Sequence, residues 1–189
     1  MKTYEAKRFR KPPKAISKAE LKGISKADYE EEKKQLGDRV VVYVDGSCLK
    51  NGKKDATAGC GVFFGDNDPK NISERLPATY KQTNQEAELY AMFRLFQTVK
   101  ETEKVLIKYD SQYAYMVITE YLSNWKRNGW KKKDGSEPVN LKISKQIDEL
   151  WTPTRQRNTD FMWVARKLRY YGNAQADTLA KAGALLSHT

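Results

Sequence analysis

The sequence predicts an α/β domain, a mixed β-sheet flanked by helices, behind a basic N-terminal extension. Three observations carry this. The β-branched run Val40–Val44 is followed by two more strand-like segments joined by short loops, which suits antiparallel pairing. From residue 84 onward, strand-like and helix-like segments alternate, and such alternation implies parallel crossovers. The first 38 residues are rich in Lys and Arg but sparse in apolar side chains, so they contribute little to a core.

Residues 1–38 contain Lys7-Arg8-Phe9-Arg10-Lys11-Pro12-Pro13-Lys14 and a helix-compatible stretch through Glu30-Glu31-Glu32-Lys33-Lys34. They read as a flexible or partly helical basic extension, and the domain is expected over 39–189. Val40–Val44 suits a buried strand, and Asn51-Gly52 is a hairpin signal. Gly59–Phe64 and Ile72–Leu76 are the next strands. Asn84 is a helix cap for 85–100. Val105–Tyr109 reads as a strand, Ser111–Leu122 and Leu141–Leu150 as helices, Asp160–Val164 as a strand, and Gly172–Leu186 as the last helix.

The chain has 189 residues and a formal charge of +11, which favours a polyanionic partner, most often nucleic acid. Its two cysteines, Cys48 and Cys60, lack metal-ligand spacing, and free thiols in a reducing compartment are expected. The single histidine is His188, so a histidine-based dyad in the core and a zinc site are excluded. No apolar stretch is long enough to cross a membrane and no signal peptide is evident, so no membrane partner is expected. An intracellular location is expected, in nucleus or cytoplasm, with the mitochondrion left open.

Against this basic background, four acidic residues stand where the pattern turns them inward or ends a strand. Asp45 follows Val40–Val44, and Asp110 follows Val105–Tyr109. Glu88 and Asp177 lie on apolar-periodic helical segments. Carboxylates in such places are costly unless they bind something positive. Clustered in a cationic chain, they suggest hard divalent ions acting on a phosphate polymer.

Six motifs occur in order: Tyr43-Val44-Asp45-Gly46-Ser47, Ser73-Glu74-Arg75-Leu76-Pro77, Gln82-Thr83-Asn84-Gln85-x-Ala87-Glu88-Leu89, Asp110-Ser111-Gln112-Tyr113, Trp125-x-x-Asn128-Gly129-Trp130 and Gly172-Asn173-x-x-Ala176-Asp177. Together they resemble the catalytic domain of type 1 ribonuclease H in its eukaryotic form, over about residues 40 to 184. The resemblance implies a five-stranded mixed sheet, three antiparallel strands and then two parallel ones. It implies a metal-dependent endonuclease that hydrolyses the RNA strand of an RNA–DNA hybrid, with two Mg²⁺ ions, or Mn²⁺, held by Asp45, Glu88, Asp110 and Asp177. Asp45 would bridge both ions, Glu88 and Asp110 would hold the ion near the leaving group, and Asp177 the ion that activates water. Two ions about 4 Å apart clamp the attacking and leaving oxygens of an in-line displacement.

The same resemblance places Lys81, Thr83 and Asn140 at a DNA phosphate. Asn84 and Gln85 would read the RNA minor groove, where 2′-hydroxyls are displayed. Tyr113 and Trp125 would line the DNA channel. The stretch Asn124–Lys133 interleaves aromatics and cations, with Lys126, Lys131, Lys132 and Lys133 as backbone contacts. Trp130 reads as a core anchor. Glu86, at a position where relatives often carry a basic residue, is expected to be an exposed helix charge.

The chain departs from the family in three places. Lys167 stands where a loop histidine is expected, which should slow turnover without removing the metal site; Arg166 and Lys167 remain candidate phosphate contacts. Val44 and Tyr109 replace threonines beside metal ligands, and the bulk of Tyr109 raises the question of whether the sheet is disturbed. The extension lacks the aromatic-rich hybrid-binding module of many eukaryotic relatives. The rival reading is a catalytically weak or inactive relative that binds nucleic acid or a protein partner. A domain released from a retroelement polyprotein is a third reading, disfavoured by the start at Met1. Protein partners are left unspecified.

Overall fold

A computed structural model describes residues 25–165 and 170–187. Its centre is a five-stranded sheet in the order β3-β2-β1-β4-β5. The strands are β1 (Val40–Leu49), β2 (Thr57–Phe63), β3 (Ile72–Arg75), β4 (Val105–Tyr109) and β5 (Thr159–Trp163). β1–β2 and β2–β3 pair antiparallel, whereas β1–β4 and β4–β5 pair parallel. This is the mixed sheet that the sequence pattern predicts.

One face of the sheet carries Val42, Val44, Val62, Ile107 and Tyr109, packed with α2 (Asn84–Thr98) and α5 (Leu141–Leu150). The other carries Val41, Tyr43 and Phe63, packed with Ala176 of α7 (Tyr171–Leu185). The period-2 alternation within Val41–Val44 serves both layers, so the strand reads as continuously apolar. Tyr109 does not disturb the sheet. It keeps register with Val44 and Trp163, stacks on Tyr115 at 4.9 Å and meets Phe161 edge-on.

Several elements differ from expectation. β1 does not end at Asp45; it continues to Leu49, with Asp45 opposite Gly61. The cap of α2 is Thr83, not Asn84, its hydroxyl accepting from Glu86 N. The helix after Asp110 is longer and irregular: α3 (Gln112–Met116) passes through a π-helical turn, Val117–Tyr121, into α4 (Leu122–Arg127). A short helix, α6 (Pro153–Asn158), was not anticipated, although Thr152 caps it and Pro153 begins it in the usual way.

The largest difference lies in the extension. α1 (Lys26–Gln35) starts with a capping box between Ser25 and Asp28 and docks on the α7 side of the sheet. Tyr29 is fully buried there, and its hydroxyl donates to Phe64 O at 3.2 Å. Packing therefore reaches back past the boundary expected at residue 38. The physical reason is a lysine in the sheet. Lys108 of β4 is fully buried, lies 5.2 Å from the Tyr43 ring and pairs with Glu32 of α1. Burial depresses the Lys108 pKa, and Glu32 opposes that shift. Residues 1–24, including the basic cluster Lys7–Lys14, lie outside the described residues, as do Arg166 and Lys167.

Removing one member of a buried ion pair strands the other charge, whereas replacing both with apolar groups is often neutral. Glu32→Ala should therefore lower stability by about 3 kcal/mol, and Glu32→Ala combined with Lys108→Met should return to within about 1 kcal/mol of the parent. Urea melts of the three proteins check this ordering. An equal loss in single and double variants would show that α1 itself, not the charge, matters there.

Candidate active site

The site forms where β1 crosses α2. A Cβ on Gly46 would lie 2.3 Å from Glu88 N and 2.5 Å from Ala87 C, so only glycine permits this approach. The crossing sets Asp45, on β1, beside Glu88, on α2; they are 3% and 7% exposed. Asp110 follows the end of the parallel neighbour β4. Carboxylate oxygens of all three lie within 4.8 Å of one another. Asp45 Oδ1 accepts from Gly46 N at 2.9 Å, and Asp110 Oδ2 accepts from Asn173 Nδ2 at 3.2 Å.

Three like charges held this closely and largely out of water are unfavourable without a cation. The donors are hard oxygens with no His or Cys among them, which suits Mg²⁺, Mn²⁺ or Ca²⁺ and not a structural zinc. The residues present thus fit a divalent ion. Asp177 is not brought into this group. Its side chain is 40% exposed and accepts from Lys181 Nζ at 2.7 Å, one turn further along α7. Asn173 and Asp177, four residues apart, share a face of that helix. Asn173 was missed as a site residue in the sequence, although it belongs to the Gly-Asn motif quoted there.

The residues expected at a DNA phosphate do come together. Lys81 Nζ donates to Val139 O, beside Asn140, and Thr83 N donates to Lys81 O at 2.9 Å. Asn140 is buried, and its Nδ2 donates to Tyr113 Oη at 2.9 Å. Asn84 and Gln85 stand on the first turn of α2, both exposed. Trp125 and Trp130 both pack, half-buried, at the edge of the core; Trp125 meets Tyr121 at 5.4 Å, and Lys145 lies 5.4 Å from the Trp130 ring. Lys126 pairs with Asp148 at 2.7 Å, while Lys131 is exposed and Lys132 is 3.9 Å from Asp134.

The RNase H family model matches residues 37–185. The chain belongs to the RNase H family. It is 41% identical to a ribonuclease H of Schizosaccharomyces pombe over 83% of this chain and 57% of that protein. It is 36% identical to ribonuclease H1 of Mus musculus over 79% of this chain and 51% of that protein. The chain thus spans about half the length of these curated relatives. The solution structure of the PFV RNase H domain superposes with a TM-score of 0.56 at 25% identity, covering 76% of this chain and 93% of that one. RNase H enzymes use divalent metals, in keeping with the carboxylate cluster. No helix among the described residues is long and apolar enough to cross a membrane.

Against that family background one residue corrects the sequence reading. Glu86 is not an exposed helix charge; it is 2% exposed, and its Oε2 has no hydrogen-bond partner among the described residues. The start of α2 turns it under the loop that carries Lys81. Burial pushes its pKa up to about 7, against the pull of Lys81 and Lys142. The signal was hidden because an i, i+2 pair of glutamates on a helix looks like one ligand and one surface charge.

A carboxyl group raised above its unfolded value costs stability as pH rises. The unfolded chain ionises near pH 4.5 but the folded one only near 7, so the cost grows across that window and is complete above it. In the metal-free RNase H, Glu86→Gln should match the parent at pH 4 and exceed it at pH 8 by on the order of 1–3 kcal/mol. Thermal melts at the two pH values check this; a constant difference would place Glu86 in water.

Proposed function

We propose that this RNase H is a metal-dependent endonuclease that hydrolyses the RNA strand of RNA–DNA hybrids, using Mg²⁺, with Mn²⁺ able to substitute. One observation carries the reading: three carboxylates from β1, α2 and the end of β4 converge within 4.8 Å in a chain of net charge +11. Asp45, Glu88 and Asp110 would hold one divalent ion. Asp177 would help hold a second after leaving Lys181. When bound, such ions lower the pKa of a water and stabilise charge on the leaving oxygen.

The chain's own residues bind and orient. Lys81, Thr83 and Asn140 hold a DNA-strand phosphate, and Tyr113, which accepts from Asn140, lines the DNA channel beside them. Asn84 and Gln85 face the minor groove, where 2′-hydroxyl contacts distinguish RNA from DNA. Trp125, Lys126 and Lys131 to Lys133 line the DNA side, with Arg166 and Lys167 as further phosphate contacts. Asn173 donates to Asp110 and so keeps that carboxylate aimed at the cluster. With Lys167 in place of a loop histidine, general acid–base help worth about 10²–10⁴-fold is missing, so turnover is slow.

The binding-only reading has one observation in its favour, the engagement of Asp177 by Lys181. A labelled hybrid decides between them. Wild type should cut the RNA strand with Mg²⁺ and leave duplex RNA and duplex DNA intact, and Asp45→Asn should fall to background while still binding hybrid without metal. Equal cleavage by the two proteins would sink the metal assignment. Absence of cleavage by wild type in both Mg²⁺ and Mn²⁺ would leave the binding reading.

Grip is tested separately. Alanine at Lys131, Lys132 and Lys133 should weaken hybrid binding and flatten the log–log salt slope by about one unit for each phosphate no longer neutralised. The rate at saturating substrate should hold. A slope identical to wild type would make this stretch a solvated surface.

A further inference from the structure

The docked α1 helix lies on the side of the sheet away from α2, yet a continuous set of contacts runs from it to the carboxylates. Its ten residues bury one large side chain, Tyr29. That ring lies 6.0 Å from the ring of Tyr43, 5.9 Å from Phe63 and 5.7 Å from Tyr171. Tyr43 is two residues before Asp45 on β1. Tyr171 begins α7, the helix of Asn173 and Asp177.

The start of α7 has unusual needs. Among the described residues no side chain caps its first turn. Its second residue, Gly172, packs so tightly that a Cβ there would lie 2.3 Å from the Tyr43 ring. Its third, Asn173, donates to Asp110. What steadies this turn from outside is α1 and the loop beneath it. Tyr171 Oη donates to Asp66 at 2.6 Å, Lys26 pairs with Asp66, and the Lys26 ammonium lies 5.7 Å from the Tyr171 ring. Tyr29 fills the space between Tyr171 and Tyr43.

We propose that Tyr29 is a positioning residue for the metal site, holding Tyr43 and Tyr171 so that the first turn of α7 keeps Asn173 on Asp110. The extension helix is then part of the working unit and not a tether. Without Tyr29, the Tyr43 ring can tilt into the space left, the contact with Gly172 loosens, and α7 moves away from Asp110. The inference rests on the reading of the carboxylates as metal ligands.

The test uses the full chain. Mn²⁺ binding is measured by calorimetry for wild type, Tyr29→Ala, Tyr29→Phe and Tyr171→Phe, each well below its own melting temperature. Amide hydrogen exchange of Tyr171–Asp177 is followed without metal. Changing an outer partner of a metal ligand typically costs about 10–100-fold in affinity, and Tyr29 acts one layer further out, so Tyr29→Ala should weaken Mn²⁺ by about 3–10-fold. Tyr29→Phe, which keeps the ring, should stay near wild type. Exchange at the start of α7 should quicken in Tyr29→Ala while α2 is unchanged.

Unaltered Mn²⁺ affinity in Tyr29→Ala overturns the proposal even if its melting temperature falls, because α1 is then only a cover. If Tyr29→Ala does not fold, Tyr171→Phe decides: severing the Asp66 link should weaken Mn²⁺ by about threefold, and no change overturns the proposal. If wild type itself binds no Mn²⁺, the metal reading fails, and exchange alone decides the link: unchanged protection at Tyr171–Asp177 refutes it.

Discussion

Everything in this molecule is arranged around the crowding of Asp45, Glu88 and Asp110. Three carboxylates within 4.8 Å repel one another, and two of them, Asp45 and Glu88, are almost wholly buried and so poorly hydrated. The sheet order and the β1–α2 crossing hold them there regardless. Gly46 lets the helix backbone approach, β4 runs parallel to β1 so that Asp110 follows beside it, and Asn173 reaches over from α7. Such an arrangement is a preorganised seat for divalent cations, with much of the electrostatic cost met when the chain folds.

The surrounding charge follows from the same need. In the proposed function, a net charge of +11 would draw the phosphate polymer, and the local negative cluster the ions that act on it. The ligand carboxylates Asp45 and Glu88 are buried, whereas Lys81 and Lys131 are exposed. Glu86 shows how finely this is divided: only two residues from Glu88, it turns under the Lys81 loop, away from the ligand set. On the opposite side of the sheet, the buried Lys108 pairs with the half-buried Glu32, which ties the extension helix to the domain.

Much of this was legible in the sequence because it depends on local pattern. The strands, their antiparallel-then-parallel order and α5 to the residue follow from β-branched runs and helical periodicity; of the four carboxylates singled out, Asp45, Glu88 and Asp110 converge. What escaped depends on neighbours distant in the chain. α1 has a helix-forming but largely polar sequence, and only the partner surface of Tyr43, Phe63 and Tyr171 makes Tyr29 a buried residue. Glu86 looks like a surface acid until the Lys81 loop covers it. Asp45 resembles a strand end because it follows the apolar run, yet pairing with β2 carries the strand on to Leu49. The pairing of Asp177 with Lys181 is an ordinary i, i+4 helix contact, and only the structure shows Asp177 engaged there and outside the carboxylate cluster.

The central claim is that the carboxylate cluster is a divalent-cation seat completed by Asp177. Crystals grown with Mn²⁺ and hybrid, using Asp110→Asn to block cleavage, would test it through anomalous scattering. The account predicts a Mn²⁺ peak touching Asp45 and a second within bonding distance of Asp177, whose carboxylate has left Lys181. A structure with hybrid seated on Lys81 and Asn140 but no anomalous density between Asp45 and Glu88, and Asp177 still on Lys181, would contradict it.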